Sequence, residues 1–378
     1  MDNFKIGIIA DESGKGGMNN ILGGFGVGLK NGFCQINIDA DYINNILKNT
    51  TELPPVFIAF NVSGSNMYDS ILNAGSNLIV WSVDSIFFKN FNLFKKYAAK
   101  PNFYGMSVTP TDVDPVKLFL PKLKYFTMYV GTDPKVWKYD ENAIKEHDIV
   151  FMSYLTNYKA DIENLKETLP PSSYKLFLEV YNYIMENPDK NMWESFSLIL
   201  KNYNIDVMPQ DANFYSDFFI KVSYIITHTR RVELVKSLED VGVKVWGAPE
   251  WEKHISGRNK YMGLAEMNEA AEIFGKSKIV LHQHPVQVAN CAHERIINAC
   301  ATGAFVVSDN IPVINEQFKD NILYFNPLNA EELCDNVNFY LKNDDLRQEK
   351  ALAAREITIN NHTWSHRAKE IMSLFTIC

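Results

Sequence analysis

Cysteine is scarce and scattered. The five residues Cys34, Cys291, Cys300, Cys334 and Cys378 are odd in number and form no CxxC pair. They therefore suggest neither a disulfide framework nor a zinc ribbon, and they fit a reducing compartment. Positive charge is not in surplus: 37 Lys and Arg against 45 Asp and Glu leave a net charge of −8. That balance argues against nucleic acid or an anionic membrane as a general partner. No apolar run approaches the ~20 residues that span a bilayer. MDNF runs directly into the strand-like KIGIIA with no basic-then-apolar leader. The chain is expected to be cytoplasmic, with no transmembrane segment. It also lacks a repeat of fixed period and any low-complexity tract.

What is present is ample apolar material. With 46% hydrophobic residues in 378, two domains are the starting expectation, because single cores rarely extend past roughly 250–300 residues. Short β-branched runs at Lys5–Ala10, Val56–Phe60, Leu78–Val83, Phe103–Val108 and Tyr125–Tyr129 alternate with amphipathic stretches, the pattern of a parallel sheet with crossover helices. The charged segment KYDENAIKEHD precedes a fresh strand at Ile149–Met152 and places the boundary near residue 145. Residues 157–220 read as a helical insertion rich in Leu, Tyr and Phe, a place for acceptor recognition, for self-association into a homo-oligomer, or for a lid that merely packs. The βα rhythm resumes with strands at Val222–Thr227, Lys244–Trp246, Lys278–His282 and Ala304–Ser308. The fold class is thus α/β, with two Rossmann-like domains at 1–145 and 146–360 and a final segment at 361–378.

Ligands of open α/β sheets bind outside the carboxyl ends of the strands. After the first strand comes DESGKGGMNNILGGFGVG, either a phosphate or sugar cradle or a plain flexible turn. Asp84, in IVWSVDSIF, and Asp11 stand at strand ends, where a carboxylate acts as a base or holds a substrate hydroxyl. The alternative for Asp84 is a helix N-cap. The densest cluster is SKIVLHQHPVQVANCAHERIINACATGAFVVSD, residues 276–309. His282 and His284 lie two apart at a strand end, and His293, Glu294 and Arg295 open a helix whose free N–H groups favour an anion. Its HxH, Cys291 and His293 also read as zinc ligands, but at no standard spacing, and buried hydrogen-bonded histidines are the plain alternative. Arg230 and Arg231, read as following a strand and opening a helix, suit phosphate or a solvated surface. Two DxD triplets, Asp39 to Asp41 and Asp112 to Asp114, precede helical patterns and read as N-caps, with no metal assigned.

Five segments together resemble the bacterial GT-B glycosyltransferases that include the CgeB-like spore-maturation proteins. They are Arg231–Gly247, SKIVLHQHP, HERIINACATGAFVVSD, Asn310–Phe318 and NHTWSHRAKEI. The resemblance implies two Rossmann-like domains facing across a cleft, with 361–378 returning as a helix to the first. It implies a glycosyltransferase that moves sugar from a nucleotide-sugar donor to a protein, lipid or glycan acceptor, with no cofactor and no obligatory metal. Arg230, Arg231, Gly247, His282, His284, His293, Glu294, Arg295 and Asn298 would form the donor site. Asp84 or Asp11 would deprotonate the acceptor if the reaction inverts. One departure matters: R-x-[FI]-E is expected, and this chain has Arg295-Ile296-Ile297-Asn298. Glu294, one turn earlier on the same face, is the candidate to replace the missing carboxylate. The alternatives are a nucleotide-sugar epimerase of the same architecture and a non-catalytic nucleotide- or sugar-binding module.

Overall fold

The computed structural model describes residues 5–10, 21–49, 52–61 and 65–376. The chain divides into two compact units, Met1–Asp133 with Asn360–Cys378, and Pro134–Ile359. The division falls earlier than the expected 145. Trp137 already stacks on Phe274 (centroids 5.6 Å apart) and Lys145 donates to the Gly275 carbonyl at 2.7 Å, so the charged segment packs within the second unit.

The first unit is a parallel sheet of β1 (Lys5–Ile9), β2 (Asp39–Tyr42), β3 (Val56–Phe60), β4 (Asn77–Ser82), β5 (Phe103–Ser107) and β6 (Lys124–Thr127), in the order β2-β1-β3-β4-β5-β6. The β3 run VFIAF is buried throughout, as a central parallel strand covered on both faces requires. Each such aliphatic or aromatic side chain contributes about 1.5–3 kcal/mol on burial. β2 is the strand that the helical reading of Asp39–Asp41 missed. Its polar register is an edge feature: Ala40 and Tyr42 face inward, while Asp39 and Asp41 pair with Lys5 (3.5 Å) and Lys30 (2.7 Å).

The helix Trp364–Thr376 belongs to this first unit and packs on the helix Ile21–Gln35. Glycine permits the contact: a Cβ on Gly28 would stand 2.2 Å from the Trp364 indole nitrogen, and one on Gly32 2.4 Å from the Trp364 carbonyl oxygen.

The second unit holds β7 (His147–Ser153), β8 (Lys244–Gly247), β9 (Lys260–Tyr261), β10 (Ser277–His282), β11 (Phe305–Asp309) and β12 (Leu323–Phe325), all parallel, in the order β12-β11-β10-β7-β8-β9. Taken from the unit's own first strand, this is the doubly wound order 3-2-1-4-5-6, whose topological switch point lies between β7 and β10. Ile149, Phe151, Val245, Ile279, Leu281, Phe305 and Val307 form its core with Trp251 and Val235.

Between β7 and β8 come the helices Tyr158–Thr168, Pro171–Glu186 and Met192–Asn202, then a 26-residue helix, Ala212–Ser237. The last of these overturns the strand expected at Val222–Thr227. Val222, Ser223, Ile225, Ile226, Thr227 and His228 are all buried. A helix covered on nearly every face loses the polar stripe that separates it from a buried strand. Arg230 and Arg231 therefore lie deep within a helix and not at its start.

Candidate functional site

At the switch point of the second unit, β7 ends in Ser153 and β10 in His282, and the chain leaving β10 leads to the helix Glu294–Ala301. His293 is the N-cap of that helix, its Nδ1 3.2 Å from the Arg295 amide and 2.9 Å from a Glu294 carboxylate oxygen. Three imidazoles meet here. The ring of His282 lies 4.6 Å from that of His284 and 4.7 Å from that of His293, centroid to centroid. All three are buried.

Their environments differ. His284 is held by Asp309 at the end of β11, which accepts from its amide (3.0 Å) and lies 3.1 Å from its Nδ1, while its Nε2 is 3.0 Å from the Cys291 carbonyl. Both ring nitrogens thus face oxygens that only accept. Burial alone would raise the Asp309 carboxyl, but His284 beside it holds it below the usual range. His282 is pushed well below the ordinary imidazole value by burial first, then by His284, His293, Arg295 and Arg231, and is a neutral ring whose Nε2 has no hydrogen-bond partner among the described residues. Burial likewise takes His293 down to about 4. Glu294 stays ionised at about 2: burial opposes this, and His293 and Arg295 outweigh it.

Arg231 supplies the positive charge. Its Nη1 donates to the Tyr154 carbonyl at 2.8 Å, just beyond β7, and its buried Nε has no partner among the described residues. Burial, then the field of Arg295, pushes its pKa down to about 9, which leaves it a cation at neutrality. The charge of the half-buried Arg295 reaches Arg231 near the start of this helix, where free N–H groups and the helix dipole add to the positive potential. The carboxylates of Glu294 and Asp309 lie in the same field and act on Arg231 in the opposite sense. Among the described residues, no three His, Cys, Asp or Glu side chains are arranged to hold a metal ion.

Arg230 acts on Asp309 through its charge, but its hydrogen bond runs to the helical insertion. It donates to the Ile184 carbonyl and so ties the helix Pro171–Glu186 to the long helix. Gly247 ends β8 beside β7, where a Cβ would fall 1.8 Å from the Ser153 carbonyl oxygen; the close strand approach accounts for the glycine. Asn298 is buried one turn after Glu294 on the same helix. The sequence reading missed Asp309, although it too stands at a strand's carboxyl end, and His228, whose Nδ1 lies 2.7 Å from the Thr156 hydroxyl. Burial, with Arg231 next, takes His228 down to about 3.

In the first unit, Asp84 lies in the half-exposed turn after β4. It does not cap the following helix; Ser85 does, accepting from the Phe87 amide at 3.2 Å. Asp112, read from sequence as a cap for its own helix, makes no such bond there. It reaches across to accept from the Ser85 hydroxyl (2.7 Å) and the Ile86 amide (2.9 Å). Burial pushes its carboxyl up to about 7. Asp11, Gly16 and Gly17 lie outside the described residues, and Gly23 and Gly24 sit in the first turn of the helix Ile21–Gln35.

Residues 230–373 match a protein family described as glycosyl transferase-like. No curated protein matches the chain. Among solved structures, the chain is similar to sucrose-phosphate synthase from Thermosynechococcus elongatus, at 9% identity and a TM-score of 0.57, covering 99% of this chain and 98% of that one. It is similar over the full length of both chains to HepE of Anabaena in complex with UDP-glucose, at 11% identity and a TM-score of 0.53. T4 phage BGT in complex with its UDP-glucose substrate aligns at 12% identity and a TM-score of 0.52, covering 98% of each chain. The fold is that of the GT-B glycosyltransferases. Among the described residues, no helix is long and apolar enough to cross a membrane.

Proposed function

We propose that this protein is a glycosyltransferase that takes a sugar from a nucleotide-sugar donor held in the second unit. The observation that carries the reading is the buried Arg231, within the field of the half-buried Arg295, beside the buried His282 and His293 at the start of the helix Glu294–Ala301, within the segment 230–373 that matches the glycosyl transferase-like family. As the bond from the sugar's anomeric carbon to the diphosphate breaks, negative charge grows on the leaving oxygens. Preorganised guanidinium and N–H groups at that point lower the barrier without reorganising. This is the work a metal performs elsewhere, so the reaction is proposed to need none and no cofactor.

Glu294 is assigned to the ribose hydroxyls, in place of the glutamate that the Asn298 position lacks. Asp84 or Asp11 is assigned to the acceptor, a hydroxyl on a protein, lipid or glycan, whose proton a carboxylate takes as the new glycosidic bond forms. UDP-glucose in HepE and in BGT supports a uridine diphosphate sugar as the first donor to try. The segments Arg231–Gly247 and His293–Asp309 support a place beside the bacterial CgeB-like enzymes, acting in the cytoplasm.

The test is a thermal-shift panel of UDP, GDP, CDP and dTDP and their sugar conjugates, with and without EDTA, on wild type and Arg295→Ala. A ligand that binds only the native state raises the midpoint. One nucleotide family should shift it, EDTA should not alter the shift, and Arg295→Ala should lose it. A panel with no shift at all sinks the donor-site assignment, and tight binding with no sugar released to water or any acceptor moves the reading to a binding module.

A further inference from the structure

The turn that presents Asp84 is held on both sides by polar side chains that follow other strands, the half-buried Asn61 and the buried Asp112. Upstream, the Val83 amide donates to Asn61 Oδ1 at 3.0 Å. Asn61 follows β3 with φ near 52°, in the left-handed region that asparagine tolerates better than most residues. Its Oδ1 also takes a bond from Asn90 (3.3 Å), which donates in turn to Ser82 at 2.8 Å. Downstream, Asp112 accepts from the Ser85 hydroxyl and the Ile86 amide. Asp112 is itself fixed by Ser107 at 3.4 Å, whose hydroxyl lies 2.6 Å from that of Tyr125. The residues on either side of Asp84 are thus tied to the loops after β3 and β5, while Asp84 itself remains half-exposed.

Regular structure does not require this. The helix Ile86–Lys89 is only one turn long, and Ser85 already caps it. A buried carboxylate spent on so short a helix is costly unless the turn's geometry matters.

We propose that Asn61 and Asp112 are positioning residues that hold the Asp84 carboxylate toward the acceptor hydroxyl. The inference rests on the reading of Asp84 as the group that handles the acceptor.

The experiment compares full-length wild type, Asn61→Ala, Asp112→Ala, Asp112→Asn, Asp84→Asn and the double variant Asp84→Asn with Asp112→Ala. Amide hydrogen exchange comes first. In Asn61→Ala the Val83 amide, and in Asp112→Ala the Ile86 amide, should exchange about tenfold faster, as expected when one hydrogen bond is lost, while Ile58, Val80 and Met106 within the strands stay as in wild type. Asp112→Asn, which keeps one acceptor oxygen, should restore most of the protection. Exchange that is unchanged at both amides, or faster throughout the sheet, overturns the clamp.

Release of UDP from UDP-glucose into water is the second readout. Asp112→Ala should lower kcat about tenfold with KM for UDP-glucose unchanged, and should cost nothing further in the Asp84→Asn background, since a residue acting through another is non-additive with it. Full additivity overturns positioning through Asp84. A wild-type rate in Asp84→Asn removes the role given to Asp84, a separate failure that leaves the exchange result standing.

Discussion

The carboxyl ends of the two sheets bury polar side chains to opposite effect. After β3, β4 and β5, Asn61, Ser82, Ser85, Asn90, Ser107 and Asp112 bond to one another or to backbone amides, and only short neutral groups and one carboxyl are involved. After β7, β10 and β11, the buried groups are Arg231, Asp309 and three imidazoles, with Arg295 half-buried beside them, and Arg231 Nε and His282 Nε2 are without a partner among the described residues. A closed network fixes backbone. An open one leaves polar atoms for a ligand to meet, because an unpaired buried polar group costs about 1–3 kcal/mol. The first arrangement suits a group that must be aimed, and the second a ligand that must be held.

The largest expected effect comes from breaking the one closed element of the second unit's cluster. Asp309→Ala should cost about 3–5 kcal/mol, the usual penalty for removing one partner of a buried pair, read as a fall in the midpoint of chemical denaturation. Its pH dependence has a definite sign. The Asp309 carboxyl is held below its ordinary value, so its contribution is complete above the unfolded carboxylate value of about 3.9 and is lost as the pH falls through the folded one. The gap between wild type and variant should close in acid.

Asp112 should behave in the opposite sense. Its folded carboxyl is raised from 3.8 to about 7, so across that window the folded state keeps a proton that the unfolded state has released, and stability falls as the pH rises. The groups facing the carboxyl are Ser85 and the Ile86 amide beyond β4, Ser107 on β5 and the phenol of Tyr125 on β6, the last being the titratable one. Asp112→Asn should therefore gain on wild type between pH 4 and 8 by on the order of a few kcal/mol, followed by denaturation at each pH. A constant difference across that range would remove the contrast between the two carboxyls.

Smaller changes sharpen the same division. Arg295→Ala should weaken UDP binding by about 1.5–3 kcal/mol, the worth of a charged hydrogen bond, measured by calorimetry with little change in stability. Smallest of all, Tyr125→Phe removes a hydroxyl 3.5 Å from Asp112 and 2.6 Å from Ser107, and should cost about 1 kcal/mol of stability with no effect on UDP.

The legibility of the fold and the site in the sequence depends on how the residues are buried. Val56–Phe60 is a continuous apolar run of strand length and Ser277–His282 has the apolar centre Ile279–Leu281, and both read plainly as strands. β2, with the sequence DADY, escapes that reading because its inward residues are only Ala40 and Tyr42 and its carboxylates are neutralised by lysines from β1 and a helix. β9, at two residues, offers no period at all. The segment 222–228 misleads because all of it but Tyr224 is buried, and the same error puts Arg231 at a helix start and hides His228. Arg231 nevertheless belongs to the cationic cluster, since what matters is the Tyr154 carbonyl beneath it and Arg295 beside it. Arg230, adjacent in sequence, turns about 100° around the helix and serves the helical insertion. Asp309 is readable by the same strand-end rule that singles out Asp84, whereas the reach of Asp112 to the turn after β4 depends on strand neighbours that sequence spacing does not reveal.

The most direct test of the account is calorimetric titration of the full-length protein with UDP and with uridine. If the open cationic cluster of the second unit is a diphosphate site, UDP should bind at least about tenfold more tightly than uridine, and Arg295→Ala should erase most of that advantage. Equal affinity for the two, or an advantage that survives the substitution, would contradict it.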